Sequence, residues 1–278
     1  MIVSLNVERC RCKSIAEKIH SLFIPYRIDA RIRKKNHISV LQMNYTAMRG
    51  RIRYRKLFPY MAGTKKVVLC DKDTDLSGSG VKRFENNDFC LTMITSFLRN
   101  MFSSNEHIVS GIKSAYYDPM GEHPETAEQL LDIFPDLTVV TDMPKYYEVF
   151  ADNLLNEKGL VLIVSNDPEQ LAQRDIAVTS CAIDRTMPLP SRCLVFSPQK
   201  PLISTKYTVL WDYSVKVPYK YLALLPDGIE DMYFLSALYT LAGVRSLARL
   251  IPASASDGNE IFTPERLIKS LCSVRKSA

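Results

Sequence analysis

At 278 residues, with 46% apolar residues and a net charge of +6, the chain can bury the cores of two domains and is neither disordered nor fibrous in composition. No apolar run reaches the roughly 18–20 residues that span a bilayer, and the start MIVSLNVERCRC lacks the order of a signal peptide, so no membrane association is expected. Seven scattered cysteines, an odd number, point to reduced thiols and a cytoplasmic location, not to a disulfide framework.

The chain opens with an apolar run, MIVSLNV, that predicts a strand, and then KSIAEKIHSLF, whose Ile15, Ile19 and Leu22 recur at helical spacing. Extended segments are expected at HISVLQMN, RGRIRYRKL and KKVVLCD, followed by an amphipathic helix, FCLTMITSFLRNMF. The polar break SSNEH sets a boundary between a basic N-terminal α/β domain with a small sheet, residues 1–106, and a second domain, residues 107–278.

From residue 108 short apolar runs alternate with helical patterns. HIVSGIKSAYYD precedes PETAEQLLDIF, LTVVTD precedes YYEVFADNLLNEK, and LVLIVSN precedes PEQLAQR; DIAVTSC and CLVFSP follow with little helix between them. This rhythm predicts βαβ units and a parallel sheet covered on both faces. TDMP and SNDP each place an Asn or Asp cap and a proline ahead of a helix. After residue 200 come KYTVLWDYSVKV, YKYLALLPDG, the long helical pattern IEDMYFLSALYTLAGVRSLARLI, and FTPERLIKSL with Thr263 as cap and Pro264 as first helical residue.

Charge is distributed unevenly. Residues 27–66 hold twelve Lys or Arg against one acid, Asp29, so this segment carries +11 and the rest of the chain −5. Read as a strand, RGRIRYRKL puts Arg51, Arg53 and Arg55 on one face and Ile52 and Tyr54 on the other. Such a face would suit a nucleic acid or other polyanion, with Tyr45 or Tyr54 stacking on bases; a solvated edge kept from aggregating by its charges is the alternative. The four histidines, at 20, 37, 107 and 123, form no metal-ligand spacing, and Cys10 and Cys12 have no second pair beside them, so no metal site is expected.

The alternation from 108 to 200 resembles the dinucleotide-binding (Rossmann) domain of amino-acid and shikimate-type dehydrogenases, which implies a C-terminal Rossmann-like parallel-sheet domain with terminal helices. That resemblance implies NAD or NADP, but the family's G-x-G-x-x-G loop is replaced by YYDPMGEHPE, with Tyr116, Tyr117 and Asp118 and only Gly121. The family's ribose-binding acid would be Asp142, 21 residues after Gly121, unless that residue only caps the helix that follows. Thr179 and Ser180 would face the nicotinamide, or simply end a strand, and His123 could meet a ligand. Together with Ser165 and Asn166 these residues are expected to line an interdomain cleft at the carboxyl ends of the strands. The expected function is binding of a small molecule or nucleotide without hydride transfer; an active enzyme would be NAD(P)-linked and dehydrogenase-like. A homo-oligomer is compatible with this reading.

VVLCDKDTD also resembles the nucleophile strand of magnesium-dependent haloacid-dehalogenase-type phosphatases. That resemblance implies Asp71 as nucleophile, Asp73 as acid–base, Ser165 as the phosphate hydroxyl, Asp227 and Asp231 as magnesium ligands, and Lys200 or Lys206 balancing charge. DLSGSGVKRF, which follows, reads as turn and strand where that family has a loop and helix.

Overall fold

The computed structural model describes the chain apart from residues 11–13, 15, 17, 18, 20, 21, 49–51, 63, 86, 277 and 278. The helix expected over 13–23 lies largely outside the described residues, as does Arg51. The chain forms two compact units: Met1–Asn86 with Lys216–Leu247, and Asn87–Val215 with Ala248–Ala278. The chain therefore passes between units three times, whereas a single crossing near residue 106 was expected.

In the first unit β1 (Ile2–Arg9), β2 (Tyr26–Lys35) and β3 (Ile38–Ala47) form a sheet of order β1-β3-β2, with β1 parallel and β2 antiparallel to β3. Alternation decides the faces: Leu41, Met43 and Tyr45 point into the core, opposite Ile32, Ala30 and Ile28 of β2. The β2–β3 hairpin turns through Asn36 and His37, both at positive φ (49° and 64°), which is the conformation a two-residue hairpin loop of type I′ demands. Beyond β1 a bridge from Ser4 to Leu69 leads to β4 (Val67–Val68), which pairs with β5 (Lys82–Arg83). The segment from 216 is tied to this sheet by Arg33, which donates to Gln42 (2.9 Å), to Asp227 (3.1 Å) and to the Leu225 carbonyl.

The strand expected at RGRIRYRKL is corrected by the structure: Tyr54–Met61 is a 3-10 helix. Tyr54, Leu57 and Met61 recur at helical spacing and are buried in the sheet's core, and that packing outweighs the local alternation. Arg53 and Arg55 therefore do not form an arginine face of a strand. The long helical pattern from 229 is also cut. The helix Asp231–Thr240 ends where Gly243 adopts φ 69° and Val244 N–H bonds back to Leu238 (3.0 Å), a glycine-terminated end after which only a short 3-10 turn, Arg245–Arg249, follows.

The second unit is built on six parallel strands: β6 (Ser114–Tyr117), β7 (Leu137–Val140), β8 (Ile163–Ser165), β9 (Ile176–Thr179), β10 (Leu194–Phe196) and β11 (Thr208–Leu210). Their spatial order is β11-β10-β9-β6-β7-β8. Numbered from β6, that is 3-2-1-4-5-6 read from the β8 edge, the doubly wound order of the dinucleotide-binding fold. β7, β9 and β10 are buried along their whole length, as their unbroken apolar runs require of strands covered on both faces. Helix α1 (Asn87–Phe102) turns Phe89, Met93, Ile94 and Phe97 inward, and belongs to this unit although it precedes the expected boundary. Helices α2 (Pro124–Leu131) and α3 (Pro144–Lys158) start on prolines as expected, while PEQLAQR yields only the 3-10 turn Pro168–Leu171, capped by Asp167. Thr263 accepts from Arg266 N–H at the start of the last helix, Pro264–Lys276.

A small antiparallel sheet, β12 (Asp212–Tyr213), β13 (Ala255–Ser256) and β14 (Ile261–Phe262), completes the second unit. Its turn contains Gly258 at φ 91°, where a Cβ would lie 2.8 Å from the Trp211 ring. That ring is held by a hydrogen bond from its Nε1–H to the Asp257 carbonyl (2.9 Å). Gly258→Ala is expected to cost about 1–3 kcal/mol through backbone strain and the clash. Trp211 is the only tryptophan, so its emission reports the displacement; an unchanged spectrum and urea midpoint would contradict the assignment.

Candidate functional site

In this strand order the chain leaves β6 toward β7 and leaves β9 toward β10, in opposite directions, so the switch point lies between β6 and β9, at their carboxyl ends, where Tyr117 pairs with Thr179. Ligands of such sheets bind outside this edge. The chain here is stitched closely: Ser180 N–H donates to the Tyr117 carbonyl (2.9 Å), extending the β6–β9 pairing by one residue.

Asp118, the first residue past β6, turns inward and is fully buried. Its Oδ1 accepts from the Ser180 hydroxyl (2.7 Å), and its Oδ2 from the Tyr147 hydroxyl (2.7 Å) and the His123 N–H (3.1 Å). Those partners come from the end of β9, from α3 and from the residue capping α2, so one carboxyl group joins four segments. The turn closes with Gly121 N–H to the Asp118 carbonyl (3.2 Å) and Asp142 N–H to the Pro119 carbonyl (3.2 Å). Tyr116 lies in the core and donates to the His123 carbonyl (3.3 Å); its side chain does not line a surface. Burial, with the Asp118 charge adding to it, holds the Tyr116 hydroxyl well above its ordinary pKa, and burial likewise raises Tyr147. Neither tyrosine exchanges protons near neutrality.

A diphosphate needs glycines whose backbone it can approach and amides free to receive it. The open side of Gly121 instead faces protein: a Cβ there would meet Met143 Cβ at 3.2 Å and Tyr146 at 3.6 Å. The His123 amide is already taken by Asp118. These residues do not fit a diphosphate.

The remaining candidates divide by exposure. Thr179 is buried and donates to the Cys181 carbonyl (2.9 Å), and Ser180 is spent on Asp118. Ser165 accepts from Asp167 N–H (3.0 Å), and Asn166 is exposed beyond β8. Asp142 does not cap α3: the helix starts after Met143 with no side-chain cap bond, and Thr141 accepts from Met143 N–H (3.0 Å) in the turn before it. The Asp142 carboxylate is exposed and lies 3.6 Å from Arg185, whose guanidinium stands over the Tyr117 ring, 5.8 Å from its centre. Arg185 was not singled out in the sequence; it stands 43 residues from Asp142, and no local pattern marks it. Tyr117 is raised in pKa by burial, against the pull of Arg185. Cys181, beside them, is raised by burial and then by Asp184, so it is not an activated thiolate. His123 points elsewhere, its Nδ1 3.7 Å from Asp88.

The phosphatase constellation is not assembled within one unit. Asp71 follows the two-residue β4 of the first unit, and Ser165 ends β8 of the second. The turn after Asp71 wraps its carbonyls at 71, 72 and 74 around the Arg83 guanidinium (3.1, 2.7 and 2.8 Å). Asp227 is bound by Gln42 and Arg33, which lower its pKa, and Asp231 accepts from Val217 N–H (3.3 Å). Among the described residues, no group of three or more His, Cys, Asp or Glu could hold a metal ion, and no helix is long and apolar enough to cross a membrane. A hollow of 420 Å³ lined by Arg99, Phe102, Asp132 and Ile133 opens at the amino end of β7, away from the switch point, and its Arg99–Asp132 pair (3.7 Å) is exposed.

No family profile matches the sequence, and no curated protein matches it. Among solved structures the chain is similar to quinate dehydrogenase from Corynebacterium glutamicum in complex with NAD, at 10% identity over 70% of this chain and 79% of that one, with a TM-score of 0.30. It is also similar to Mycobacterium tuberculosis shikimate dehydrogenase (10% identity, 98% and 100% of the two chains, TM-score 0.31) and to L-tryptophan dehydrogenase from Nostoc punctiforme (8%, 99% and 90%, TM-score 0.34). Likeness of this degree carries no argument about activity. The chain is an α/β protein with a Rossmann-like parallel-sheet unit, as its strand order shows.

Proposed function

We propose that the second unit binds a small molecule or nucleotide against the carboxyl edge of its sheet, on the surface made by Tyr117, Asp142 and Arg185, and that it does not transfer hydride. The observation that supports this reading is the meeting of these three side chains beside the switch point, from three separate segments. Each supplies a different recognition element. The Tyr117 ring offers a face for a planar group, Arg185 a cation, and Asp142 an acceptor for a hydroxyl such as a ribose's. Thr179, Ser180 and Ser165 are engaged with the protein. Asn166 extends the same edge. Ligands that need no loop-bound diphosphate, such as AMP or S-adenosylmethionine, suit this surface better than NAD or NADP.

A thermal-shift screen with AMP, ATP, S-adenosylmethionine, NAD and NADP tests the reading. A ligand at about 100 times its Kd adds roughly 2.7 kcal/mol of stability. AMP or S-adenosylmethionine is expected to raise the Tm, and Arg185→Ala to abolish the rise without lowering the Tm of the free protein. No shift with any of these compounds at millimolar concentration would remove the proposal, as would a shift that Arg185→Ala leaves intact.

A further inference from the structure

We infer that Asp118 supplies from within the chain the negative charge that a dinucleotide's diphosphate brings to this fold, so that the loop after β6 is an anion site already filled. Its position is that of the phosphate: just past the first strand of the sheet and ahead of the first helix, with the carboxyl group against the backbone N–H at the cap of α2. All three bonds to it are donated by its partners, so the group acts only as an acceptor. It is fully buried and has no cation beside it among the described residues, which leaves the donors and the helix start to offset the cost of burying a charge. The donors are drawn from the elements that would border a bound diphosphate. Ser180, from the end of β9, and Tyr147, from α3, both direct their hydroxyls to the carboxyl group. A second anion would meet this charge, and the Gly121 and His123 amides are already engaged. The loss of the glycines is thus matched by a replacement for the ligand's charge, not only by side chains that obstruct it.

This inference holds whether or not the Tyr117–Arg185 surface takes a ligand, and its test uses different probes. Inorganic pyrophosphate and NAD are titrated into the wild-type protein and Asp118→Asn by isothermal calorimetry, with amide NMR of residues 118–123 and carboxyl ¹³C NMR of Asp118 in the wild type. The wild type is expected to bind neither probe at millimolar concentration. Asp118→Asn is expected to bind pyrophosphate at least tenfold more tightly than the wild type. The inference is overturned by wild-type pyrophosphate or NAD binding that perturbs the 118–123 amides, by a neutral Asp118, or by a folded Asp118→Asn that gains no affinity. If that variant does not fold, the two wild-type measurements decide.

Discussion

Phe97→Ala is expected to lower the unfolding free energy of the second unit by about 3–5 kcal/mol, the usual cost of removing a large aromatic side chain from a closed core. Phe97 is fully buried on the inner face of α1. Its ring lies 6.2 Å from Phe196 of β10 and 6.3 Å from Tyr213 of β12, the latter edge-on. It therefore contacts both the large parallel sheet and the small antiparallel one. Neither neighbour can follow the deleted ring. Phe196 is fixed in a central strand, and Tyr213 is tethered by its hydroxyl to the Leu210 carbonyl (2.8 Å). The cavity stays open, and the cost lies at the upper end of the range. Since a domain's whole stability is about 5–15 kcal/mol, this one change removes a large part of it. Urea unfolding followed by Trp211 emission measures the effect; Phe97→Leu, which refills part of the space, should lose less than half as much. A cost below about 1 kcal/mol for the alanine variant would mean that α1 is not anchored through this ring.

The parts of this fold that were legible in the sequence are those whose cause is local. LTVV and IAVT are unbroken apolar runs because β7 and β9 are covered on both faces, and Pro144, Pro168 and Pro264 mark helix starts because proline's fixed φ suits a first turn. β2 was not read, because its charges hide the alternation of Ile28, Ala30 and Ile32, and because its hairpin turns on Asn36-His37 and not on a glycine pair. The opposite error occurred at 51–55, where alternating arginines suggested a strand although Tyr54, Leu57 and Met61 already stood at helical spacing. The candidate site was legible as a set of members, not as a set of bonds. Asp118 and Ser180 were each expected at the sheet's edge, but their pairing spans 62 residues. Tyr147 and Arg185 were not expected there at all, because only the crossovers β6–α2–β7–α3 and β9 onward bring them to the loop.

Asp118→Ala is expected to destabilise the second unit by about 3–5 kcal/mol, because it strands three buried donors at once. The replaced carboxyl group leaves the Ser180 hydroxyl, the Tyr147 hydroxyl and the His123 N–H facing a dry space without an acceptor. Each orphaned donor costs about 1–3 kcal/mol, and the sum is partly relieved because a hydroxyl can rotate whereas the backbone N–H cannot. That asymmetry makes a sharper prediction than the total. Adding Ser180→Ala and Tyr147→Phe to Asp118→Ala removes two of the three stranded donors, so the triple variant should be more stable than Asp118→Ala alone even though it deletes more groups. On the wild-type background the same two changes should each destabilise, since there each deletes a donor that the buried carboxyl group uses. The reversal of sign, read from urea unfolding of the set as a mutant cycle, separates a coupled network from three independent contacts. If the effects of the three substitutions simply add, Asp118 is an isolated buried acid, and the closed shape of the loop must come from the backbone turn through Gly121 instead.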